Sequence, residues 1–93
     1  MRFDHDKAFR QLMVDSIVAS MRNFGYRKGQ HVWITRRGKR ICKAIIVDVY
    51  ENNEENRRKL LPISGFENVK EWVEAATKLH RKMPKYIVVV KKK

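Results

Sequence analysis

The stretch Ile41 to Tyr50 restricts the fold most. It is rich in β-branched residues, namely Ile41, Ile45, Ile46, Val47 and Val49, which pack well on a pleated surface. Simple alternation puts Ile41, Lys43, Ile45, Val47 and Val49 on one face. Cys42, Ala44, Ile46, Asp48 and Tyr50 then share the other. Both faces are fairly apolar, so the sequence predicts a central strand covered on both sides over part of its length.

Such a strand needs partners. His31 to Thr35 reads as the strand before it. Arg36-Arg-Gly-Lys39 reads as the hairpin tip between the two, because Gly38 supplies the positive φ that a tight turn needs. Tyr86 to Val90 reads as a closing strand, and Met1 to Phe3 as an edge strand. Leu60 to Ile63 reads as a short strand that Pro62 demotes to an edge or an extended link. Asp4 or Asp6 should cap a first helix, in which Phe9, Leu12, Met13, Ile17 and Met21 recur at helical spacing. That spacing carries the helix to about Arg22, with Gly25 as the stop. Glu51 to Asn56 reads as a polar loop. Asn68 with Glu71 makes a capping-box-like start to a second helix, striped by Val69, Trp72, Val73, Ala76 and Leu79 and ended by Pro84. Two main helices with four to six strands make an α+β domain. A strongly curved sheet or small barrel would hide the most strand edge.

Charge points to a partner. The chain has 93 residues, enough for one domain and one modest core. Its 22 basic and 10 acidic residues leave a net charge of +12. Hydrophobic content of 43% is ordinary for a folded chain, so this charge does not signal disorder. No Asp or Glu occurs from Ser16 to Val47. Eight of the 22 cations fall between Arg22 and Lys43, with Phe24, Tyr26 and Trp33 among them. Clustered positive charge of this kind is an electrostatic footprint for nucleic acid. The single cysteine, Cys42, excludes an internal disulfide and a cysteine-based zinc site. His5, His31 and His80 lack metal-ligand spacing, so no metal and no cofactor is expected. The N-terminus lacks signal-peptide character and the longest apolar runs are four residues. A cytoplasmic protein off the membrane, assumed monomeric, is the expectation.

The segments Ser64-Gly-Phe-Glu-Asn-Val-Lys-Glu-Trp-Val, Leu79-His and Tyr86-Ile-Val-Val-Val resemble the second half of the ASCH domain. ASCH domains belong to the PUA-like superfamily of small β-barrels. Arg27-Lys-Gly-Gln-His-Val-Trp-Ile34 is similar to the family's first barrel strand. The resemblance spans nearly the whole chain and implies an ASCH-type barrel with RNA-related binding. The family motif Gly-x-Lys-x-x-Thr-x-Arg, laid after the first helix, falls on Ser20 to Arg27. Ser20, Arg22 and Gly25 replace the Gly, Lys and Thr, and only Arg27 is retained. Arginine cannot be desolvated into a general base, and the lost threonine removes a hydroxyl. Arg22 and Arg27 suit phosphate instead, because a guanidinium forks onto two oxygens. The resemblance therefore weighs against the family's amidohydrolase branch while leaving an enzyme open.

The candidate site is Arg22, Tyr26, Arg27, Lys28, Trp33, Arg36, Arg37, Lys39, Arg40 and Lys43. The cations would take phosphates, and Tyr26 or Trp33 would stack on a base. Trp33 faces opposite to Val32 and Ile34. It lies outside if those two face the core and inside if they do not; both orientations stay open. Lys91 to Lys93 reads as a solvated tail adding only non-specific attraction. The sequence thus predicts a single nucleic-acid-binding domain over 1–93, with RNA as first partner and DNA as second. The alternatives are a small hydrolase acting on a modified nucleoside and an interaction module for an acidic protein.

Overall fold

A computed structural model describes residues 1–93. The elements, in chain order, are α1 (Asp6–Asp15), β1 (Ile17–Arg22), β2 (His31–Arg36) and β3 (Lys39–Glu51). α2 (Glu54–Leu60), a 3₁₀ turn (Leu61–Ile63), α3 (Val69–His80) and β4 (Tyr86–Lys92) follow. The four strands form one antiparallel sheet in the order β1-β4-β3-β2. The fold is α+β, as expected, but β1 and β2 remain opposite edges, so the sheet is open rather than closed into a barrel.

Several elements differ from the sequence expectation. α1 stops at Asp15, because Ser16 adopts φ 65°. The run expected to continue the helix is β1. Ile17, Ala19 and Met21 serve one sheet face and Val18 the other, a pattern as compatible with period 2 as with period 3.6. His5 caps α1, its Nδ1 accepting the Lys7 N–H at 3.2 Å, whereas Asp4 turns to Arg2 and the Arg37 amide. Residues 51–56 are not all loop. Asn53 accepts the Asn56 N–H at 2.8 Å and starts α2, with Glu54 and Glu55 in the first turn and Arg57 to Lys59 in the last. That charge order complements the helix dipole. Leu61–Ile63 is a 3₁₀ turn with Pro62 near its start, not a strand. α3 begins at Asn68 as expected, but Arg81 at φ 63° ends it before Pro84. Met1 to Phe3 forms only an isolated bridge at Thr35, where Phe3 donates to Thr35 O at 2.9 Å.

The expected closing strand, β4, is interior, and its Ile87, Val88, Val89 and Val90 are buried on both faces. α1 covers one face, over Val18, Ile34, Ala44, Ile46, Val88 and Val90. Leu60, Trp72 and Ala76 cover the other, over Ala19, Met21, Ile87 and Val89. β3 is interior as expected, but two bulges overturn its simple alternation. The register shifts between Ile46 and Asp48, so Val47 packs on the α3 side and Val49 on the α1 side. A second shift opposite Ile34 and Thr35 leaves Ile41 unpaired. α1 is pressed against the loop before α3. At Gly65 (φ 88°) an added Cβ would lie 2.4 Å from Lys7 O, a distance that admits only glycine.

Candidate nucleic-acid interface

β2 and β3 pair with Val32 opposite Ala44 and Ile34 opposite Cys42, and these side chains pack with the α1-side core. Alternation then fixes Trp33 and its partner Lys43 on the opposite face. α3 and Leu60 cover that face only over β1, β4 and the far end of β3. Over β2 and the near half of β3 it is bare, with Trp33 41% exposed. Of the two orientations open to Trp33, the structure has the outward one.

Cations gather on this bare area. Lys43 Nζ lies 5.3 Å and the Arg40 guanidinium 4.9 Å from the Trp33 ring centroid. Strict alternation would have put Arg40 with Cys42 on the core side. The bulge at Ile41 pairs Arg40 with Thr35 instead and so brings it to Trp33. Lys93 donates its N–H to Lys43 O at 3.1 Å, which carries β4 on beside β3. Its Nζ meets His31 Nδ1. Lys91 stands opposite Ile45, itself opposite His31. None of Arg40, Lys43, Lys91 and Lys93 pairs with a carboxylate.

The other candidates divide. Arg37 and Lys39 flank Gly38 at the exposed hairpin tip, where Arg37 (φ 51°) and Gly38 (φ 81°) make the turn. Arg27 and Lys28 are exposed in the turn before β2, which is tied to β3 by Gly29 N–H to Ile46 O at 2.7 Å. Both groups stand at the ends of the Trp33 patch. Tyr26 packs against the α1-side core and does not join them. Arg36 turns to the same side, over the Phe9 ring at 4.5 Å, donating to Phe3 O and paired with Asp6. It is a tether for the N-terminal segment. Arg22 lies on β1 and lines a cleft that no residue of the 36–40 hairpin enters.

Two parts of the patch were missed in the sequence. Lys91 and Lys93 read as a free tail, because only pairing with β3 shows them extending the sheet. His31 was the histidine nearest the basic hairpin, and that proximity was the signal available.

Cys42 sits on the core side, where burial raises its thiol pKa. No group of three or more His, Cys, Asp or Glu is placed to hold a metal ion. No helix is long and apolar enough to cross a membrane. No family model, curated protein or solved structure matches the chain.

Proposed function

We propose that the bare half of the sheet binds single-stranded nucleic acid, RNA in preference to DNA. The observation that carries this reading is Trp33, exposed and bracketed by Arg40 and Lys43 with no carboxylate paired to either. A base would stack on the indole while Arg40, Lys43, Lys91 and Lys93 take phosphates along the strand. An exposed cation–π contact is worth about 0.5–1 kcal/mol. Base–aromatic stacking is worth about 1–3 kcal/mol, so a base can displace the cations from the ring. The displaced cations are then free for phosphate.

Shape favours a single strand. An unpaired base presents a whole π-face, which a duplex hides. β2 runs about 17 Å at about 3.4 Å per residue, which suits a few nucleotides of extended backbone. Arg27 and Lys28 at one end and Arg37 and Lys39 at the other would extend that track. The resemblance of Ser64 to Val73, Leu79-His80 and Tyr86 to Val90 to the ASCH domain supports RNA as the nucleic acid. It also supports treating the open, helix-covered sheet as a relative of that barrel.

Titration of a short unstructured RNA at rising salt tests the reading. With about five phosphates engaged on a single strand, log affinity should fall against log salt with a slope of about −3.5. Binding indifferent to salt would sink the proposal. Absence of any RNA or DNA retardation at low salt would favour an acidic protein partner instead.

A further inference from the structure

Arg22 makes no ion pair. It ends β1 and lines a cleft between α1 and α3, over the free edge of that strand. Its Nε donates to Ser20 Oγ at 3.0 Å and its Nη2 to the Arg2 carbonyl, while the guanidinium stacks 4.6 Å from the Phe3 ring centroid. These contacts hold the group still and leave Nη1 bonded to nothing in the fold. No carboxylate pairs with it. Asp4 also lines the cleft, but Arg2 and the Arg37 amide engage its oxygens.

Burial dominates the electrostatics of the cleft, and the Tyr26 and Asp4 charges only partly offset it at Arg22. Burial depresses the Arg22 pKa to about 10. Burial and then the Arg22 charge lower the pKa of His80, which lines the same cleft. The N-terminal amine is lowered by the same two causes. A charged group held in a mostly apolar cleft costs stability unless it is paired. A buried guanidinium held by Ser20 and the Arg2 carbonyl beside a histidine is what an anion would complete.

We propose that this cleft binds a phosphate monoester, its phosphate seated on Arg22. The cleft, open to solvent on one side, has a volume of about 50 Å³. At about 10–15 Å³ for each water-sized position, that takes one tetrahedral head group and not a run of backbone. Nη1 and Nη2 offer the fork that two phosphate oxygens accept. An anion matches Arg22, which has no ion pair, and it favours protonated His80. The apolar wall of Ala75 and Leu79 would lie along the ester group. The site is separate from the Trp33 patch: none of Trp33, Arg40, Lys43, Lys91 and Lys93 lines it. It therefore does not rest on the nucleic-acid reading.

The phosphate comes either from a small free ester or from the end of an RNA strand. NMR titration of His80 with inorganic phosphate, adenosine monophosphate, and an oligoribonucleotide with and without a 5′-phosphate separates the two. Inorganic phosphate and adenosine monophosphate should each shift His80 saturably and raise its pKa. An affinity gain from the 5′-phosphate identifies the RNA end as the source. Equal affinity with and without it identifies the free ester. Arg22→Gln should abolish the His80 response, and Arg22→Lys, which keeps the charge without the fork, should weaken it about tenfold or more. If phosphate leaves His80 unmoved in the natural chain, the proposal fails. It also fails if a folded Arg22→Lys chain binds phosphate as tightly as the natural chain.

Discussion

One sheet face carries two unlike halves. Over β1 and β4, Ala19, Met21, Ile87 and Val89 lie sealed beneath Trp72 and Leu60. Over β2 and the near half of β3, no helix arrives, and Trp33, Ile41 and Lys43 meet solvent. Each half has one tryptophan: Trp72 is 2% exposed and Trp33 is 41% exposed. The sealed half contributes to the free energy of folding. The bare half exposes apolar surface and close positive charges, which folding alone does not explain. A ligand face needs both.

The largest expected effect separates the tryptophans by stability. Trp72→Ala removes the buried cover and should cost about 3–5 kcal/mol, a large part of the about 5–15 kcal/mol that holds a small domain together. Trp33→Ala should change stability by less than about 1 kcal/mol, since only surface contacts are lost. Urea denaturation of both chains measures this. Equal losses would mean that Trp33 is a core residue and that the halves are alike.

The next effect reverses the comparison in RNA affinity. Trp33→Ala should weaken binding by about 1–3 kcal/mol, and Trp33→Phe should restore part of it. Lys43→Gln should lower the salt slope by about 0.7, the share of one phosphate on a single strand. Fluorescence anisotropy with a labelled oligoribonucleotide reads both. Unchanged affinity in Trp33→Ala would remove the stacking platform from the proposal.

These contrasts also show what was legible in the sequence. The β2–β3 hairpin, the Asn68 cap and the apolar β4 were readable, because each rests on local chemistry or simple periodicity. β1 was not, because Ile17 to Met21 satisfies both helical and strand spacing, and only pairing with β4 decides between them. The patch was readable in part. Trp33, Lys43 and Arg40 were named, but Arg40 reaches the indole through a bulge that no alternation rule anticipates. Lys91 and Lys93 became part of the face only through sheet pairing. Arg36 and Tyr26 were drawn away by the N-terminal segment and by the α1-side core, both long-range partners.

The smallest effect concerns how the hairpin tip is held beside the bare half. Asp4 accepts the Arg37 N–H at 2.8 Å and pairs with Arg2. The backbone hydrogen bond from Arg37, then the bond from Arg2, hold its pKa below the ordinary 3.8. A carboxylate with a depressed folded-state pKa binds fewer protons folded than unfolded, so its stabilisation is complete above pH 3.8 and is lost as pH falls through the lower folded value. The carboxylate is solvent-screened, so the contribution is about 0.5 kcal/mol or less. Asp4→Asn should therefore destabilise the chain slightly at neutral pH, and the difference from the natural chain should shrink in acid. Thermal melts across that window test it. A difference that persists unchanged well below pH 3.8 would show that shape, not charge, anchors the tip. The bare half would then owe its geometry to the turn itself, independently of the N-terminal tether.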